Sequence, residues 1–393
     1  MNDKMNSRER VIATLHHREP DRIPYDLAGT TVTAITRNAY LRAMEHRGLP
    51  PVVGDSGVDP IQQIITPSEE NLRYLKSDTR RIGACRIPDF ENVKRVSGNL
   101  TEVTDFYGCD WRFEQGRDLY YHMISSPLGN ADSLSGSLHL LPVTDWDRYG
   151  ASLRNTLDEQ LVKTGDFCGI ADRNSAGLTE NSLRIRGYEN WYLDTLTDPE
   201  GVETLLDRIV EDKIRYWNIL IDHLTETGNT HLVQVVSECD DLGSQATTII
   251  DPDTLRRMVI PRLKTIFTQV RKRLPHVKIF MHSCGAIREI IPDLIDAGVD
   301  ILNPVQFTAA GMELAGLKRD FGDIITFWGG GVDTQSTLNT GTPGQVADEV
   351  KRILDILAPG GGFVFAPVHN VQDDVPPANF WAMWDTLQEY GKY

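Results

Sequence analysis

The α/β fold this sequence predicts is a (β/α)8 TIM barrel, and three observations predict it. Short, nearly continuous apolar runs alternate with helical segments over the second half of the chain, as in a parallel sheet covered on both faces. Each run stops at a small, bendable segment bearing a carboxylate, imidazole, thiol or amide: SECDDLG, HSCG, NPVQ, GGGVD and PVHN. β/α barrels build their sites from such strand ends, whereas a doubly wound sheet concentrates them at one switch point. The length of 393 residues suits one barrel domain with insertions over 1–393.

From the N-terminus, a helix is expected over 7–17 with Asn6 or Ser7 as its cap. It ends before Pro20, and RIPYDL at 22–27 reads as a short strand. Residues 100–141 alternate polar and apolar positions around GRD, which predicts an inserted β-hairpin or flap. Over 199–228, Val202, Leu205, Leu206, Ile209, Val210, Trp217, Leu220, Ile221 and Leu224 form one helical apolar stripe. Strands are then expected at 231–236, 277–281, 299–302, 324–327 and 363–366. Helices at 253–274, 287–297, 312–321 and 343–357 separate most of them.

The net charge of −16 argues against a nucleic-acid footprint. Five scattered cysteines without a CxxC pair do not make a disulfide framework and suit a reducing cytosol. The charged N-terminus lacks an apolar signal core, and no apolar run approaches the ~20 residues of a membrane span. A soluble cytoplasmic protein is expected. Oligomeric state is not legible, a homodimer being one option.

His282-Ser283-Cys284 is the sharpest chemical signal. Residues i and i+2 at a strand end can point the same way, and imidazole nitrogen with thiolate sulfur suits zinc. A locally bonded histidine beside a small buried cysteine is the plain alternative. His369, in APVHN after the last strand, would face the same barrel mouth and complete a three-ligand zinc set. Glu238, Asp240 and Asp241 cluster at another strand end. There, mutual repulsion would raise proton affinity for acid–base work by Glu238 or Asp241. Glu238 could instead complete the metal shell, and any of the three could cap a helix or turn. Asn303, Gln306 and Asp333 read as substrate hydrogen-bonding groups, with Asn370 able to hold the His369 ring. Tyr25, Tyr120, Tyr121, Trp191 and Trp328 could line an apolar pocket or belong to the core. Gly329-Gly330-Gly331 lacks a dinucleotide or Walker pattern and would let a ligand approach the backbone.

EPDRIP, DDLG, HSCG, ILNPVQ, GGGVDTQ and GGGFVFAPVHN, in that order, resemble the uroporphyrinogen decarboxylase-like superfamily, most strongly over 199–393. The resemblance implies a β/α barrel and one of two activities: metal-free porphyrinogen decarboxylation, or zinc-dependent, corrinoid-linked methyl transfer. The decarboxylases carry an arginine-bearing motif like RQAGRYLP, where this chain reads YDLAGTTV after Pro24. His-x-Cys resembles the zinc motif of the methyltransferase branch, which has a second cysteine on the last strand where His369 stands here. One thiolate and two neutral histidines would leave zinc positive and a stronger Lewis acid. The resemblance thus implies methyl transfer between a small O- or N-methylated donor and a corrinoid (cobalamin) on a partner protein. Glu238 or Asp241 would handle the proton, Tyr25, Asp240, Asn303, Gln306, Asp333 and Asn370 would bind substrate, and thiol methylation remains a variant. The alternatives are a metal-free uroporphyrinogen-type decarboxylase and a non-catalytic ligand-binding or corrinoid-docking barrel.

Overall fold

A computed structural model describes residues 5–83 and 94–393. Seven parallel strands form one curled sheet in spatial order Phe363–Val364, Thr326–Trp328, Ile301–Asn303, Lys278–His282, Val233–Cys239, Cys168–Ala171 and Thr79–Ile82. Five of these lie within two or three residues of the strands expected from the sequence. Thr79–Ile82 and Cys168–Ala171 were not foreseen. The expected strand over 22–27 is reduced to two isolated bridges, Tyr25 with Phe365 in parallel and Arg22 with Lys392 antiparallel.

Side-chain alternation sorts the sheet into two faces. Ile170, Val235, Phe280, Ile301, Trp328 and Val364 pack together as an inner cluster, closed at one end by Val11 and Leu15 of the N-terminal helix. Their neighbours Ala171, Val236, Ile279, Met281, Leu302, Phe327 and Phe363 join the larger core under the helices. That outer layer includes Pro199–Glu226, whose predicted stripe is wholly buried, and Pro343–Leu357. The N-terminal helix, Ser7–Leu15, starts at Asn6 in a reciprocal capping box with Glu9.

The region expected as a hairpin at 100–141 divides differently. Lys94–Ser97, Leu100–Thr104, Asp110–Glu114 and His122–Ser125 make a four-stranded antiparallel meander, while Leu134–Ser137 and Leu138–Leu140 are short helical turns. The extra strand lies before the predicted start, and after His122–Ser125 the chain leaves the sheet, with Ser133 capping Leu134–Ser137. Cys109, Cys168, Cys239 and Cys284 are free thiols; Cys85 lies outside the described residues. Among the described residues, no helix is long and apolar enough to cross a membrane.

Candidate metal centre

Alternation carries His282 inward, because Phe280 faces the inner side of the curled sheet and Met281 the helices. The chain then turns, and Cys284 swings back so that its Sγ lies 3.5 Å from His282 Nε2. Gly285 permits that turn with φ +88°, and a Cβ there would meet the backbone of Gly243 at 2.4 Å. His369 arrives from the segment after Phe363–Val364, its ring centroid 5.5 Å from that of His282. One ligand atom from each of His282, Cys284 and His369 falls within 4.8 Å of the others, a group compatible with zinc. The structure thus brings together residues far apart in the chain.

The surroundings define the protonation of these groups. His282 Nδ1 lies 2.5 Å from Asn303 Oδ1, and Asn303 Nδ2 donates to Trp328 O at 2.8 Å. The amide orientation makes the acceptor unambiguous, so Nδ1 carries the proton and Nε2 is left as the lone-pair donor. Burial pushes both imidazoles down to about 4, with the mutual repulsion of the two rings adding to this for His369. Both are neutral at neutral pH, as ligation requires. Burial, then the Asp241 and Glu180 charges, push the Cys284 thiol up. Asp241 sits beside the group, its Oδ1 accepting from Cys284 N at 2.9 Å and lying 3.6 Å from His282 Nε2. Burial and the nearby Glu180 charge raise Asp241 to about 6.

Several expected site residues stand elsewhere. Glu238 requires correction: it is one residue out of phase with the inward positions and faces the helices. There Lys213 Nζ and Trp217 Nε1 each donate to its carboxylate at 2.7 Å. Asp240 is also corrected, since it caps the helix Leu178–Arg186 by accepting from Thr179 N and Glu180 N at 2.9–3.1 Å. Asp333, only 1% exposed, accepts from Gln335 N and Ser336 Oγ within its own turn. Tyr25 packs its ring on Phe365 in the larger core and lines neither cavity beside this group. The three glycines also leave no space for a ligand, because a Cβ on Gly331 would strike the Phe365 ring at 2.3 Å. Gln306 holds the turn after Cys284, accepting from Gly285 N at 2.8 Å. Asn370 ties His369's neighbourhood to the N-terminal segment, accepting from Ala34 N and donating to Thr31 O and Gln62 Oε1.

Two cavities meet at this group. The larger, about 710 Å3, has Asp241, His369 and Asn370 in its wall. Five aromatic rings (Phe106, Trp111, Tyr120, Tyr121 and Tyr188) line it beside Arg173 and Arg184, the carboxylates Asp59 and Asp105, and several small polar and aliphatic side chains. Trp111 and Tyr121 come from the antiparallel meander and the turn before its last strand. The smaller cavity, about 490 Å3, is lined by Cys284, His369 and Asn370 together with residues that follow the strands ending at Cys239, His282, Asn303 and Trp328. Sequence reasoning missed Arg173 and Arg184. The first follows a strand the apolar pattern did not reveal, and the second lies on a short helix whose spacing gives no site signal.

A scan against protein-family profiles matches the uroporphyrinogen decarboxylase (URO-D) family over residues 178–390. A search of curated proteins finds no match. Among solved structures, a methyltransferase from Methanosarcina mazei is 16% identical at TM-score 0.64, with 98% of this chain and 99% of that chain covered. That likeness is one of fold. An endo-1,4-beta-xylanase from Caldicellulosiruptor owensensis is 10% identical at TM-score 0.29, over 47% of this chain and 69% of that one. Xylanase 10B from Thermotoga petrophila RKU-1 is 12% identical at TM-score 0.29, over 68% and 99%. Neither xylanase carries an argument.

Proposed function

Because the chain belongs to the uroporphyrinogen decarboxylase (URO-D) family, we propose that it is the zinc-dependent, corrinoid-linked methyltransferase its metal centre supports best. It moves a methyl group from a small O- or N-methylated donor to a corrinoid carried by a partner protein. The observation that carries this reading is the convergence of His282, Cys284 and His369 within 4.8 Å at the wall of an aromatic-lined cavity. Two neutral imidazoles and one cysteine, which loses its proton on ligation, are a donor set zinc accepts, and they fit a three-ligand catalytic site. We read the fold as a closed eight-stranded barrel. Asp26 N donates to Phe365 O and Asp78 N to Tyr25 O, so the segment around Tyr25 joins the two sheet edges and stands as the eighth strand.

When bound, the ion supplies Lewis acidity to the donor's oxygen or nitrogen as its bond to the methyl carbon breaks. The chain's own residues do the rest. Asn303 fixes the His282 ring so that Nε2 faces the group. Asp241, at the cavity wall beside Cys284, supplies the proton that the departing oxygen or nitrogen needs. The rings of Phe106, Tyr120 and Tyr121 hold the donor's apolar body and exclude water.

The test is direct. Purified chain is assayed for bound zinc and for methylcobalamin formed from cob(I)alamin and a panel of O- and N-methylated donors. The reading predicts about one zinc per chain and product from at least one donor, both lost in His282→Ala. Stoichiometric zinc that is indifferent to all three ligand substitutions would overturn it.

A further inference from the structure

The larger cavity is the aromatic one, and the smaller differs from it in chemistry as well as size. Among the described residues, no Phe, Tyr or Trp lines the smaller cavity, and Asp374 is its one carboxylate. Instead five carboxamides surround it: Gln245, Gln306, Gln335, Asn370 and Gln372. Two of them, Gln245 and Gln335, are exposed on the lip with Ser244 and Asp374, open to a large partner. Asn370 has both ends of its amide bonded within the chain, so it forms wall rather than recognition surface. His369, Asn370 and Gln372 are common to both cavities, Asp241 belongs to the aromatic one, and Cys284, Gln245, Gln306 and Gln335 to the amide-lined one.

Methyl transfer by direct displacement places donor and acceptor on opposite sides of the moving carbon. The carbon–oxygen or carbon–nitrogen bond breaks with its electron pair left on the donor, while the acceptor's pair forms the new bond. Two chemically distinct cavities meeting at one centre supply two such approaches. We propose that the amide-lined cavity receives the rim of the corrin ring, while the aromatic cavity holds the methylated donor; the inference rests on the methyltransferase reading above. A corrin rim is fringed with neutral acetamide and propionamide side chains. Each is both donor and acceptor, as are the glutamines that face it. At about 490 Å3 the cavity takes an edge of the macrocycle, leaving the remainder on the partner protein.

Equilibrium dialysis of the zinc-loaded chain against methylcobalamin tests this without a turnover assay. The double variant Gln245→Leu/Gln335→Leu should bind about tenfold more weakly, the effect of losing two exposed hydrogen bonds. Tyr120→Ala, in the aromatic cavity, should leave that affinity unchanged within a factor of two. Cobalamin with rim amides hydrolysed to carboxylates should bind more weakly to the unmodified chain. Zinc content is measured in every variant, so a folding defect appears as metal loss rather than as a false result. Unchanged affinity in the double variant, weakening by Tyr120→Ala instead, or no methylcobalamin binding by the zinc-loaded chain would each overturn the assignment. Those outcomes leave zinc binding intact, whereas failure of the underlying reading shows as zinc that ignores its ligands.

Discussion

Two neighbouring strands end side by side, with Cys239 in register with His282, yet the turns beyond them do different work. HSCG sends an imidazole and a thiol to one point beyond the sheet's C-terminal edge. SECDD, richer in ionisable groups, sends them three ways: Glu238 to Lys213 under the helices, Asp240 to a helix N-terminus, and Asp241 to the backbone of Cys284. Composition of a strand end is therefore a weaker guide than phase. Only residues in step with the inward positions, or released by a turn, reach the mouth.

Breaking Glu238's ion pair gives the largest expected effect. Glu238→Ala strands a buried ammonium and should cost about 3–5 kcal/mol in a urea unfolding titration. Lys213→Met/Glu238→Leu should recover most of that loss, because no charge is then left unpaired. A Glu238→Ala protein of normal stability but deficient in zinc would instead place Glu238 in the metal shell. Next, Cys284→Ala or His369→Ala should lower zinc affinity, read by chelator competition, by more than the roughly 100-fold upper range of supporting residues. Asn303→Ala leaves the ligands but frees the His282 ring, and should cost about 10–100-fold by the same measurement. The smallest effect belongs to Asp240→Ala. Loss of the helix cap should reduce stability by about 1 kcal/mol and leave zinc content unchanged.

The contrast also explains what was legible in the sequence. Strands ending at His282, Asn303 and Trp328 announced themselves as unbroken apolar runs, because both of their faces are buried. Thr79–Ile82 did not, since TRRI carries two arginines that pair with Glu69 and Asp55 outside the sheet. His282, Cys284 and His369 were readable because their residue types are scarce and each follows a recognisable strand. Asn303 was read as a substrate-binding group, and its contact with the His282 ring, set by register between adjacent strands, was not legible. Tyr120 and Tyr121 of the larger cavity were legible as candidate pocket aromatics, whereas Trp111 was not, because it comes from a separate sheet whose docking depends on tertiary contacts.

X-ray absorption at the zinc edge, on chain loaded with one equivalent, addresses the metal centre most directly. One sulfur near 2.3 Å and two imidazole nitrogens near 2.0–2.1 Å are expected for Cys284, His282 and His369, at about the usual zinc distances. A shell of oxygens alone, or a spectrum unchanged by Cys284→Ala, would contradict the account.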